Sequence, residues 1–188
     1  MRIIGGQVKG RRIFVPKDHI RPTSDMIKEA LFNILPPMEG KTFLDLFAGT
    51  GSIGLEAMSR GAVKVVFVEV NRFSIETIKK NLSVCGFNNK YEIISAPVDE
   101  SLKRFNKKKE QFDVIFADPP YEKGFIKKTL YLLGRGSLVS EDGIIVLQHS
   151  CREELDWDTD EFVLTDQKIY GDTSISFLKM HSEHSERI

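Results

Sequence analysis

The stretch Lys41 to Gly54, KTFLDLFAGTGSIG, constrains the fold more than any other part of the chain. Thr42 to Phe47 is a short apolar run set between a glycine and a glycine-rich turn, which is how a buried parallel strand reads. Gly49, Gly51 and Gly54 then fit G-x-G-x-x-G as the chain enters a helix at Ile53-Gly54-Leu55-Glu56-Ala57-Met58. Glycine is needed where the backbone must turn tightly and let a ligand lie against it. By spacing alone the motif suggests a dinucleotide.

Two acids point to another ligand. Asp45 lies inside the strand just before the loop, where a carboxylate would repel a pyrophosphate and attract an ammonium. The competing reading of Asp45 is a cap for the next helix. Fifteen residues beyond Gly54, a second strand, Val63 to Val68, ends at Glu69. An acid there can accept two hydrogen bonds from ribose hydroxyls, although a surface acid at a strand end is the alternative. A ligand with a ribose, an ammonium and no phosphate is S-adenosylmethionine. The residues expected to hold it are Asp45, Phe47, Gly49, Thr50, Gly51 and Glu69.

At 188 residues, with 41% hydrophobic and 29% charged side chains, the chain is expected to form one ordinary globular domain. No apolar run approaches membrane-spanning length, the N-terminus is too short and polar for a signal peptide, and only two cysteines occur. A reduced cytoplasmic chain with no membrane partner and no metal is the expectation. Formal net charge is +0, but residues 1 to 28 hold seven Lys or Arg against Asp18 and Asp25. Five surplus positive charges therefore sit on the start of the chain, opposed to a mildly acidic body. Arg2, Lys9, Arg11, Arg12 and Arg21 are the candidate contacts of this appendage to an anionic partner, against the alternative of an ordinary solvated face.

The remaining pattern is βα alternation. Arg2-Ile3-Ile4 and Arg12-Ile13-Phe14-Val15, with turns at Gly5-Gly6 and Gly10, read as a hairpin arm. A helix capped by Thr23 or Ser24 follows, with Ile27, Leu31, Ile34 and Leu35 on its apolar side, until Pro36-Pro37 stops it. Helices are expected over Arg72 to Cys85, Asp99 to Phe105 and Phe125 to Leu133. Strands are expected over Tyr91 to Ser95, Phe112 to Ala117 and Gly143 to Gln148. Phe162 to Tyr170 and Ser174 to Met180 meet at Gly171-Asp172 as an antiparallel edge hairpin. The fold class is α/β, a doubly wound, mostly parallel sheet with a small N-terminal hairpin and helix extension. Residues 1–40 form the arm and helix, 41–180 the core, and 181–188 a frayed polar tail. The ligand of such a sheet lies at the carboxyl ends of its strands.

The fourth strand ends in Asp118-Pro119-Pro120-Tyr121. Two prolines fix two φ angles and remove two N–H donors, leaving carbonyls and the Asp118 carboxylate as a rigid row of acceptors. Such a row suits a donor NH2 group as nucleophile, and Tyr121 offers a flat face on which a planar group can stack. These four residues are the candidate catalytic set. As a bare tetrapeptide the same residues would form a turn.

The DPPY box resembles the amino-methyltransferases, which methylate exocyclic amines of adenine, cytosine or guanine. The whole chain, from Arg2 to Met180, resembles one branch, the 16S ribosomal RNA guanine-N2 methyltransferases that modify guanine 966. The blocks that carry this are IIGGQVKGRRI (Ile3 to Ile13), RPTSDMIKEALFNIL (Arg21 to Leu35), DLFAGTGSIGLEAMSRGA (Asp45 to Ala62), DPPY and Tyr170-Gly171-Asp172-Thr173. The first two are specific to the branch, and the central block and DPPY are shared more widely. The resemblance implies a class I, Rossmann-like S-adenosylmethionine-dependent fold. It further implies ribosomal RNA as substrate, within a small-subunit particle, and a monomeric enzyme. Class I methyltransferases often place an Asp or Asn after the third strand to hold the adenine amine. Ser95-Ala96-Pro97-Val98 stands at that turn here, so either Asp99 reaches back or the backbone at Val98 makes the contact. Three rivals stay open: an adenine or cytosine methyltransferase acting on DNA, an NAD-dependent oxidoreductase, and a non-catalytic RNA-binding module. DPPY alone does not choose the base.

Overall fold

A computed structural model of the chain describes residues 1–16, 25–153, 155 and 161–181. Two compact units are present, Met1–Ala96 and Pro97–Ile188. Lys17, Arg21, the expected caps Thr23 and Ser24, and all of the expected frayed tail except His181 lie outside the described residues.

In the first unit, strands β1 (Thr42–Leu46), β2 (Lys64–Val68) and β3 (Tyr91–Ile94) pair in parallel in the order β3-β2-β1. Helices α1 (Asp25–Ile34), α2 (Ser52–Ser59) and α3 (Arg72–Cys85) accompany them. Every residue of α2 is buried, and all but Glu56 are small or apolar. At Gly54 the helix lies close against the sheet: a Cβ there would stand 2.3 Å from the Phe67 ring of β2. The third glycine of the motif therefore serves helix–strand packing, as in dinucleotide folds. Helix α3 begins at Asn71, whose side chain accepts the N–H groups of Phe73 and Ser74, and ends at Gly86 in the left-handed region.

The arm is a hairpin held by one antiparallel bridge, Arg2 to Arg12, with Ile3 N donating to Arg11 O and Ile13 N to Met1 O. Its sequence suggests a slim appendage, but the structure stitches it into the unit. Ile3 and Ile13 are buried core residues. The fully buried Glu56 of α2 accepts the Ile4 N–H at 2.8 Å and the Arg60 guanidinium at 2.8 Å. Ser59 donates to Gly5 O and accepts from Val8 N, and its carbonyl accepts from Gln7 N. Lys28, which composition assigns to the basic surface, is fully buried in α1, beside Asp25 and donating to the Arg2 carbonyl. Burial pushes its ammonium below the ordinary lysine range, with Asp25 and Glu56 opposing that shift. It braces the arm rather than adding to its charged face.

The second unit contains α4 (Val98–Lys108), β4 (Phe112–Ala117), α5 (Phe125–Gly134), β5 (Val139–Ser150), β6 (Phe162–Tyr170) and β7 (Thr173–Met180). Its strands run in the order β4-β5-β7-β6, with β4 and β5 parallel and the other pairs antiparallel. The β6–β7 hairpin closes through Gly171-Asp172, with Gly171 at φ 59 in the first central position of the turn. Strand β5 starts four residues earlier than the apolar run suggests. Its extra residues are absorbed by a register shift against β4 between Phe112 and Val114, beside Gly143. A Cβ on Gly143 would stand 2.6 Å from Val139, so only glycine lets the strand close on itself there. No helix among the described residues is long and apolar enough to cross a membrane.

Candidate active site

The loop between β1 and α2 turns at Phe47, Gly49 and Gly51, with φ of 62, 56 and 76 respectively. Left-handed backbone is unusual for a residue as bulky as phenylalanine, and strain of that kind gathers at ligand-binding turns. The loop's amides are directed inward. Gly49 N donates to Glu69 Oε2 at 2.8 Å, Gly51 N to the Ala48 carbonyl at 2.7 Å, and Gly54 N to Asp45 Oδ2 at 3.0 Å. Three glycine amides that would cradle a pyrophosphate are thus given to internal acceptors, two of them carboxylates. The loop fits a phosphate-free, cationic ligand and opposes the dinucleotide reading.

Asp45 is buried, and its bond to Gly54 N is the helix-cap role that competes with an ammonium contact. Glu69 Oε1 accepts from both Val70 N and Asn71 N at 2.8 Å, while Oε2 holds Gly49 N. A carboxylate offers about four acceptor positions, so these three bonds leave one for a ribose hydroxyl without breaking the turn. Thr50 is buried, and its carbonyl accepts from Asn81 of α3 at 3.0 Å. The same Asn81 side chain accepts from Phe14 N and donates to Phe14 O, so one buried amide joins the arm to the loop. Arg2 is exposed but pairs with Asp25 at 3.3 Å, whereas Lys9, Arg11 and Arg12 are exposed around a concavity of about 400 Å³ at the arm's turn. The nearby Phe14 ring is 48% exposed, with the Lys80 ammonium 4.1 Å from its centroid.

In the second unit, Asp118 follows the last residue of β4, with Pro119 buried and Pro120 exposed. Asp118 Oδ2 accepts from Gln148 Nε2 of β5 at 3.0 Å, and the same nitrogen lies 3.3 Å from Tyr121 Oη. Tyr121 Oη is in turn 3.4 Å from Thr173 Oγ1, the first residue of β7. Four residues from three separate segments thus form one polar cluster around Asp118. Val98 opens α4, directly after Pro97. Asp99 does not reach back toward the preceding turn: it pairs with Lys128 of α5 at 2.8 Å, which holds its carboxyl below the ordinary range. A contact from Asp99 to adenine would therefore compete with Lys128. Among the described residues, no group of three or more His, Cys, Asp or Glu is placed to hold a metal.

The family described as conserved hypothetical protein 95 matches residues 1–179. A ribosomal RNA small subunit methyltransferase D from Escherichia coli is 31% identical over 173 residues, covering 91% of this chain and 85% of that one. The chain belongs to this family. A Bacillus subtilis relative described as an rRNA methyltransferase is 35% identical over 181 residues, 95% of this chain and 98% of its own. A solved Escherichia coli structure described as a methyltransferase superposes with a TM-score of 0.84 at 27% identity, covering 96% of this chain and 98% of the other. The fold is the class I, Rossmann-like methyltransferase fold.

Within this family member, Gln148, Asn81 and Glu56 are the polar residues that sequence reasoning missed. Gln148 and Glu56 sit in segments whose hydrophobicity pattern reads as core, and Asn81 reads as one more polar residue of an amphipathic helix. One signal was present: a glutamine, a histidine and a serine close the apolar run of β5, at the strand end where ligands of such sheets bind.

Proposed function

We propose that this chain transfers a methyl group from S-adenosylmethionine to the exocyclic N2 amine of a guanine in small-subunit ribosomal RNA. The observation that carries the reading is the Asp118 carboxylate at the end of β4, fixed by Gln148 and followed by Pro119-Pro120-Tyr121. Family membership supplies the ribosomal RNA substrate. When bound, S-adenosylmethionine supplies a methyl group activated on a sulfonium sulfur, which leaves as a neutral thioether.

Glu69 and the backbone of Gly49, Thr50 and Gly51 hold the ribose side of that ligand, Asp45 its ammonium, and the Val98 backbone its adenine. A guanine amine is a poor nucleophile because its lone pair is delocalised into the ring. Asp118 and a carbonyl of the diproline accept its two N–H bonds and favour a pyramidal nitrogen with its lone pair free. The nitrogen forms the new N–C bond and gives up one proton, to Asp118 or to water, late in the step. Most of the acceleration comes from holding the amine in line. Tyr121 stacks on the base, which must be unpaired or flipped out to reach it.

Lys9, Arg11 and Arg12 contact RNA phosphates and set its register without reading sequence. Arg2 and Arg21 are assigned the same role. The substrate is the assembled small-subunit particle, the setting is cytoplasmic, and the enzyme acts as a monomer. The last reading is supported by β6, which lies at one end of the sheet order. It carries a register shift and the Asp166–Lys168 pair along its exposed length, features that oppose strand-to-strand association. Tritiated-methyl transfer to purified small subunits, followed by nucleoside analysis, tests the whole reading. It predicts label in N2-methylguanosine, and label in methylated adenosine or cytidine would replace guanine with one of the rival bases.

A further inference from the structure

Gln148 carries an atom that the site as described does not use. The residue is 5% exposed on β5, and its Nε2 hydrogens are directed at Asp118 Oδ2 and Tyr121 Oη. Its Oε1 is buried and has no hydrogen-bond partner among the described residues. The orientation is fixed by charge, since a flipped amide would set its oxygen against the Asp118 carboxylate. An acceptor shielded from water and left unpaired is a standing cost to the fold, and such groups ask for an explanation. Here the explanation lies in the base.

Adenine, cytosine and guanine each offer an exocyclic amine, but the ring atom beside it differs. The ring nitrogen next to the amine is an acceptor in adenine and in cytosine. In guanine, N1 beside the N2 amine carries a hydrogen and donates. An amine held by Asp118, with a second acceptor adjoining that carboxylate, therefore suits guanine and opposes the other two.

We propose that Gln148 is the specificity-determining residue of this site. Its Nε2 positions Asp118 and Tyr121, and its Oε1 accepts the N1–H of the target guanine. Only a small turn about the terminal amide torsion, which is broad, is compatible with both roles, setting Oε1 toward the base while Nε2 stays on Asp118. Adenine or cytosine in the same pose would set a ring lone pair against Oε1, leaving both acceptors unpaired. The inference rests on the guanine-amine reading above, and it supplies the base selection that the DPPY box lacks.

The test uses small subunits reconstituted with RNA that carries either guanine or 2-aminopurine at the target position. 2-Aminopurine keeps the amine and lacks the N1 hydrogen. The wild-type chain is expected to methylate the 2-aminopurine subunits at least tenfold less efficiently, in kcat/KM, than the guanine subunits. Gln148→Leu should lower kcat/KM on guanine about tenfold or more and bring the two substrates to within about threefold of each other. Calorimetric affinity for S-adenosylmethionine, unchanged in the variant, reports that it is folded. Gln148→Met, of equal length and without polar side-chain hydrogen-bonding groups of comparable strength, takes its place if the leucine variant does not fold.

A variant that still discriminates as the wild type does would overturn the proposal, because N1–H would then be read by another group. So would a wild type that accepts both bases equally. A wild type that places no methyl on N2 of the guanine subunits is a different result, and it removes the underlying functional reading instead.

Discussion

Glu69 Oε2 receives the backbone N–H of Gly49 at 2.8 Å, tying the residue after β2 to the turn after β1. The carboxylate therefore shapes the loop before any ligand arrives. Glu69→Ala would leave the amides of Gly49, Val70 and Asn71 without their acceptor as well as removing the proposed ribose contact. Loss of charge-assisted hydrogen bonds worth about 1.5–3 kcal/mol predicts S-adenosylmethionine binding weakened roughly tenfold to a hundredfold. Calorimetry measures it, and unchanged affinity would leave Glu69 as an organiser of the turn alone.

Asp45 has two candidate duties, and Asp45→Asn separates them. Asparagine keeps an oxygen for the Gly54 N–H and gives up the charge. If the carboxylate only caps α2, cofactor affinity should hold. With the ammonium contact in place, affinity should drop about tenfold, while stability to urea changes by no more than about 1 kcal/mol.

Asp118→Ala should nearly abolish methyl transfer while cofactor affinity stays within about twofold, because the carboxylate orients the amine. Tyr121→Phe should keep most of the activity, since the ring is the working surface, and Tyr121→Ala should lose stacking of about 1–3 kcal/mol. Single-turnover rates on small subunits report both. Wild-type rates in Asp118→Ala would remove DPPY from the chemistry.

These predictions fall mostly on residues that the sequence marks, and the reason is physical. Glycines at forced backbone turns, an acid closing an apolar run and a diproline after a strand are local signals. Strand β4, Phe112 to Ala117, and the hairpin turn at Gly171-Asp172 were legible for the same reason. Interactions made across the fold were not. Glu56 reads as one more helical residue of α2 and Lys28 as a surface cation. Only the packing of the arm shows that the first accepts Ile4 N and that the second is buried beneath Arg2. Asp99, read from its neighbours, could turn toward adenine, yet Lys128 from α5 takes its carboxylate.

His149, next to Gln148 on β5, is buried with its ring nitrogens engaged by the Ser150 carbonyl and Ser176 Oγ. Burial pushes its imidazolium below the ordinary value of about 6.5, against smaller opposing effects of the Ser150 bond and Glu153. The folded chain therefore holds this ring neutral while an unfolded chain takes up a proton below about pH 6.5. Stability present above that pH is lost progressively as pH falls from 6.5 toward the lower folded value. The urea midpoint should fall between pH 7 and 5.5, and His149→Asn should flatten that dependence. An equal slope in the variant would assign the effect to other groups.

The arm offers the test that separates RNA binding from packing. Deleting it would not be clean, because Glu56 would lose the Ile4 N–H and the buried Ile3 and Ile13 would leave the core. Lys9, Arg11 and Arg12 are exposed and can change without those losses. Replacing all three by Gln should leave folding and cofactor affinity as they were. Each cation withdrawn from a phosphate should make the slope of log affinity against log salt shallower by about 0.7 on single strands and 0.9 on duplex. Withdrawing all three thus predicts a slope shallower by about two to three units, with RNA affinity lower at every salt concentration measured. Fluorescence anisotropy with a labelled small-subunit RNA fragment, titrated at several salt concentrations, reads both quantities. An unchanged slope would mean that the three cations only solvate the arm, and that RNA is gripped elsewhere.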